Sequence, residues 1–271
     1  MAARRKKKAA RLKKPTVLQP VRVSAIVQRD YRTELQASNQ RYKAQVDRKV
    51  NKLLNEIEAL DRTRPDAFQK QAARIQKEIG GLQRNLTAAN KRSEAAVKKF
   101  VRNSKRENFS RTIKSFGKKV DPKAASALLK ERAPLVDKRS ARLQKKYVES
   151  ITRANRDYSD RVQAALYEKL GNPRVNARKK ITKARGIVTR RIKNTVKDQS
   201  HELNATLNKT RQTALGAKRY MWQTREDERV RPSHRAANKK IFAWNKKPLI
   251  TGGFHAGEDF GCRCRAIPVF D

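Results

Sequence analysis

Four residues late in this 271-residue chain have the types that bind a soft metal ion: His234, His255, Cys262 and Cys264. They include both cysteines and two of the three histidines. Thiolates and imidazoles surround Zn²⁺ tetrahedrally, and these four would make a Cys₂His₂ set that pins residues 255–264 onto the segment before them. The Cys-x-Cys spacing is narrower than the usual Cys-x₂-Cys, so a second reading stands beside the first. In it, Cys262 and Cys264 are small core residues and His234 is hydrogen-bonded inside the fold. A disulfide between residues so close would close a strained ring, and two cysteines without an export signal fit a reducing compartment.

A second group invites another chemistry. Asp227, Arg229 and Arg231 precede His234 closely. They could act with it as acid, base and phosphate clamp in a nuclease-like site, or tie the fold together as a salt-bridge network. The second reading is favoured, because one Asp and one His within eight residues arise easily by coincidence. Gly252-Gly253 is too short for a phosphate loop and reads as a turn. His201, on a basic stretch, is expected at the surface.

These residues sit in a chain of formal net charge +44, with 69 Lys and Arg against 25 Asp and Glu. That excess exceeds what solubility requires and implies a polyanionic partner, with double-stranded DNA the leading candidate. Arg4, Arg5, Lys6, Lys7 and Lys8 open the chain, and Lys179, Lys180, Lys183, Arg185, Arg190, Arg191 and Lys193 fill "ARKKITKARGIVTRRIKNTVK". No zinc-finger spacing, aromatic RNA-binding motif or helix-turn-helix accompanies them, so the contact is expected with phosphates and blind to sequence. No apolar stretch long enough to cross a bilayer is present.

The elements that position these residues follow from periodicity. Apolar residues step by threes and fours through Leu35 to Leu60, Phe68 to Phe100, Leu143 to Leu170 and Ile181 to Leu207, which predicts four long helices with coiled-coil-like packing. "TRPD" at 63–66, "VDP" at 120–122 and "GNP" at 171–173 are the expected breaks. Both Trp and both Cys lie beyond Gly216, where the composition shifts towards aromatics and glycine. Alternation at Tyr220 and Trp222 predicts a strand, Thr224 to Asp227 a capped helical turn ended by Pro232, and Ile241 to Trp244 and 268–270 further strands. The expected fold class is α+β. It is mostly α, with a basic disordered arm at 1–20, a long helical region at 21–215 and a small mixed module at 216–271.

The module carries an ordered string: Tyr220-x-Trp222, Thr224, Asp227-x-Arg229-Val230-Arg231-x-x-His234, Phe242-x-Trp244, then His255-x-Gly257 and Cys262-Arg263-Cys264-x-Ala266-x-Pro268. This string resembles the Mu F-like phage head morphogenesis family, the minor head proteins. It departs from that pattern at Ala256, where the family usually has Pro, and at Asn238-Lys239, where it often has Asn-Gly. The resemblance implies a non-enzymatic virion protein, a minor capsid component of the portal vertex or procapsid interior. Portal, capsid or scaffold proteins would be its partners, with packaged DNA contacted without sequence preference and assembly in the host cytoplasm. Rivals are a non-viral basic coiled-coil protein that binds nucleic acid, and a nuclease or toxin-like enzyme built on the module.

Overall fold

The computed structural model describes residues 16–17, 21–116 and 121–270. The basic arm with Arg4, Arg5, Lys6, Lys7 and Lys8 lies outside the described residues. Within the stretch read as an arm, Thr16–Val17 forms strand β1.

Helix α1 spans Ala25–Glu58, α2 Pro65–Gly80, α3 Arg84–Phe116, α4 Pro122–Glu131, α5 Ala133–Gly171 and α6 Ala177–Ala214. The expected breaks are where the helices start and stop. Pro65 and Pro122 occupy first-turn positions, where a missing N–H costs nothing because that group has no partner inside a helix. Asp121 caps α4 by accepting from the backbone N–H groups of Lys123 and Ala124, both at 3.1 Å. Asn176 caps α6 through the N–H of Lys179 at 2.9 Å. The second ladder is interrupted at Gly81–Gln83, a single 3-10 turn between α2 and α3. At the far end of α6, Gly216 takes a left-handed φ of +95°, and the N–H of Ala217 returns to the carbonyl of Gln212 at 2.9 Å. The compositional shift at Gly216 is therefore the stop of the last helix.

The described chain falls into two compact units. The first comprises Ile26–Phe100 and Gln144–Lys197, and the second Met1–Ala25, Val101–Leu143 and Asp198–Asp271. The first unit is built on the apolar ladders: Leu35, Tyr42, Val46, Val50, Leu53, Ile75, Ile79, Ile151, Val162, Val188 and Ile192 are all buried. Tyr31 stacks on Phe100 at 4.0 Å, and Tyr42 meets Tyr158 edge-on at 5.9 Å. Within this unit α5 and α6 form an antiparallel hairpin, since Arg191 pairs with Asp157 and Lys180 with Glu168.

The second unit holds a four-stranded antiparallel sheet in the order β1-β4-β2-β3, with β2 at Arg219–Gln223, β3 at Ile241–Ala243 and β4 at Arg265–Phe270. Strand β2 alternates, burying Tyr220 and Trp222 and leaving Arg219, Met221 and Gln223 less covered. The module read at 216–271 is thus completed by residues far from it in sequence. Thr16 pairs with Phe270, and Gln212 of α6 donates its amide to the carbonyl of Ala266 at 3.2 Å.

One local expectation is corrected. Residues 224–231 form no helix but a single turn at 227–230, closed by the Val230 N–H on the Asp227 carbonyl at 3.1 Å, and Pro232 opens a short helix, α7, at Pro232–Ala237. The rigid φ of proline suits the first helical position, so the same residue that stops a helix also starts one. Among the described residues no helix is long and apolar enough to cross a membrane.

Candidate functional site

Helix α7 carries His234, and the loop between His255 and Cys264 carries the two thiols. These elements close over one buried core of Tyr220, Trp222, Ala237, Trp244, Ala256, Cys262, Cys264 and Ala266, with Phe242 packed against it. The loop needs two left-handed glycines to turn, Gly257 at φ +89° and Gly261 at φ +67°. A Cβ on Gly257 would lie 2.8 Å from the Cβ of Ala205 on α6. Glycine here is what lets the loop rest on that helix. An ion pair and a hydrogen bond fasten the loop to α6: Lys209 donates to Glu258 at 2.9 Å, and the backbone N–H of Gly261 donates to the Asp198 carboxylate at 2.5 Å.

Three of the four expected ligands meet. The Nδ1 atom of His234 lies 3.6 Å from the sulfur of Cys262 and 3.7 Å from that of Cys264. All three residues are buried, and their donor atoms lie within 4.8 Å of one another. On the other side of the ring, Nε2 of His234 faces the Asp259 carboxylate at 3.6 Å. Asp259 is itself held by Arg231 at 2.5 Å, and Arg231 also donates to the carbonyl of Phe260 at 2.6 Å. The backbone N–H of Cys264 points at the Cys262 sulfur at 3.4 Å. That S–H···S and N–H···S environment, with a donor from Cys264 as its first cause, pulls the Cys262 thiol below its ordinary range. The shared proton pushes Cys264 upward.

His255, the fourth residue of the expected set, does not join this cluster. Its Nδ1 is hydrogen-bonded to the Tyr220 hydroxyl at 3.0 Å, and its ring packs on Trp244 at 5.2 Å. Burial, then the nearby Lys209, lowers its pKa and keeps the ring neutral. The Glu258 carboxylate accepts from the backbone N–H of His255 at 3.0 Å. Burial alone would raise that carboxyl, but the bond from Lys209 and the His255 N–H outweigh it and hold it down.

Asp227 is gripped by Arg263 through two bonds of 2.5 Å, a fork-on-fork pair that lowers the carboxyl and raises the guanidinium. Of the residues singled out earlier, Asp227 and Arg231 are thus tied to partners in the cysteine loop, Arg263 and Asp259, and the backbone of Arg229 also bonds to Asp227. Arg229 is exposed on the wall of a cavity of 80 Å³ that opens beside His234, Cys262 and Cys264. Gly252-Gly253 is a turn, with both residues at positive φ. His201 is half-buried on α6, away from the surface position expected.

The basic stretch of α6 divides in two. Lys180, Arg185 and Arg191 are ion-paired with Glu168, Asp47 and Asp157. Lys179, Lys183, Arg190 and Lys193 are exposed. Their steps of four, seven and three residues keep them within an arc of about 80° at 100° per residue, opposite the buried ladder of Ile181, Val188 and Ile192. Asp259, Glu258, Lys209 and Asp198 escaped sequence reasoning. The one signal available was the adjacency of two acids to the Cys-Arg-Cys segment.

A family model described as Phage Mu protein F like protein matches residues 156–267, from within α5 to the middle of β4. Two curated relatives, both uncharacterised proteins, are similar over shorter spans. One from Haemophilus influenzae is 35% identical over 46% of this chain and 28% of its own length. One from Methanocaldococcus jannaschii is 37% identical over 26% of this chain and 11% of its own length. The chain therefore spans about a quarter and about a tenth of these relatives. No solved structure matches it.

Proposed function

We propose that this chain, which carries the Mu F-like segment over residues 156–267, is a minor head protein acting in phage head morphogenesis. One observation carries the reading. The matched residues include the α5–α6 hairpin's return helix and the strands and loop that share a single aromatic core, so what is similar is a folding unit with its support and not an isolated motif. The partners this implies are proteins of the forming head, namely portal, capsid or scaffold, and the place is the procapsid and then the virion.

Contact with packaged DNA belongs to the same proposal. The row of Lys179, Lys183, Arg190 and Lys193 presents four cations without an ion pair among the described residues along about 21 Å of helix, at 1.5 Å per residue. That array offers positive charge to backbone phosphates and nothing that reads a base edge. A head role makes the chain dispensable for replication and necessary for particles. Phage deleted for it should replicate DNA normally and accumulate defective or poorly filled heads. Infectious, filled heads at the parental yield would contradict the proposal.

A further inference from the structure

Neither head assembly nor phosphate contact uses the buried histidine and thiols behind α7. We propose that His234 through Nδ1, Cys262 and Cys264 bind one zinc ion as its three protein ligands, with the fourth position open to the adjoining cavity. Zinc–sulfur bonds of about 2.3 Å and zinc–nitrogen bonds of about 2.0–2.1 Å at a tetrahedral angle put nitrogen about 3.5–3.6 Å from each sulfur. The observed separations are 3.6 and 3.7 Å, so both nitrogen–sulfur edges of such a tetrahedron are already at its length, and all three donors lie within 4.8 Å of one another.

The surroundings fit a ligand histidine. With the Nε2 proton directed at Asp259, the Nδ1 lone pair is left facing the sulfurs, and Arg231 fixes the carboxylate in turn. The Cys264 N–H aimed at the Cys262 sulfur stabilises a thiolate there. Two thiolates cancel the charge of the ion, so the unit buried is neutral overall. Soft sulfur donors select zinc over the hard cations of the same charge.

Among the described residues, the donors that converge are those of His234, Cys262 and Cys264; His255 is not with them, and its Nδ1 is hydrogen-bonded to Tyr220. What borders the three donors instead is the cavity of 80 Å³, walled by Arg225, Arg229 and Arg263. That is room for more than one water, each needing about 30 Å³. A three-ligand site with an exchangeable water follows, held by a loop that also packs on α6.

The test uses the full chain, reconstituted with zinc and separated from excess ion. About one equivalent should remain by elemental analysis. Cys264→Ser and His234→Ala should lose it, while His255→Gln should keep it. Cobalt in place of zinc should give wild-type protein the visible bands of a tetrahedral site with thiolate charge transfer, and azide should shift them by entering the open position. The cobalt spectrum needs no variant and so stands even if a substitution unfolds the module. No retained metal in the folded wild type would overturn the proposal, as would rapid alkylation of one thiol unaffected by zinc, the behaviour of a metal-free Cys–His pair. Loss of metal from folded His255→Gln, or cobalt bands blind to azide, would overturn the three-ligand assignment.

Discussion

Gly257→Ala should detach the cysteine loop from α6. The residue sits at φ +89°, where an L side chain costs about 1–2 kcal/mol. The new Cβ would lie 2.8 Å from the Cβ of Ala205 and 3.3 Å from the carbonyl oxygen of Cys264. Carbon atoms prefer about 3.5–4.0 Å, so the loop must retreat by close to 1 Å, and overpacking of that kind costs about 1–3 kcal/mol. Restricting the unfolded chain returns about 0.4–1 kcal/mol. The net loss is about 2–4 kcal/mol. Trp222 and Trp244 are the only tryptophans and both lie in this core, so urea unfolding followed by tryptophan fluorescence reports on it directly. Ala205→Gly removes the atom struck. On its own it should cost about 1 kcal/mol of helix propensity, but in the double variant it should recover the overpacking share. A coupling of about 1–3 kcal/mol is expected from the cycle. A Gly257→Ala effect below about 0.5 kcal/mol, or effects that simply add, would refute the close-approach argument.

Burial holds the folded pKa of His255 below its unfolded value of about 6.5, so its contribution to stability is present above that pH and is lost as the pH falls through the folded value. Melting between pH 7.5 and 5 should therefore fall more steeply for wild type than for His255→Gln, and parallel curves would count against a neutral buried ring. Lys239 occupies a left-handed φ of +62°, where the Mu F-like pattern often has glycine, so Lys239→Gly should raise stability by about 0.5–1 kcal/mol in the same urea assay. Duplexes of unrelated sequence should bind with similar affinity. Lys183→Ser with Arg190→Ser should flatten the plot of log K against log salt by about 1.8, at about 0.9 per phosphate contact, while an unchanged slope would remove the α6 face from the interface.

The helices were legible because one property, burial every third or fourth residue, is local. Val188 and Ile192 could be placed from their neighbours alone, and Asp121 and Pro122 announce a helix start within two residues. The strands at Tyr220 and at 268–270 could be read by alternation and position, but not that β4 would lie between β1 and β2, because Thr16 and Phe270 meet across the whole chain. The same distance hid the partners of the basic stretch. Arg185 reaches Asp47 over 138 residues, so a residue counted as available for phosphate is already neutralised. At the thiol cluster, composition supplied donor types that the fold gathers, but not that His255 would lie outside the cluster. Which imidazole turns to the sulfurs is decided by the Tyr220 hydroxyl and the Asp259 carboxylate, neither of which has a spacing that marks it.

If the chain is the head protein proposed, the composition of gradient-purified heads assembled in cells that express it tests that claim most directly. Quantitative mass spectrometry of procapsids and filled heads should find this protein at a low, constant ratio to the major capsid protein, retained through salt washes that strip loosely bound basic proteins. Its absence from both particles, with the full amount left in the soluble fraction of the lysate, would contradict a role in the head.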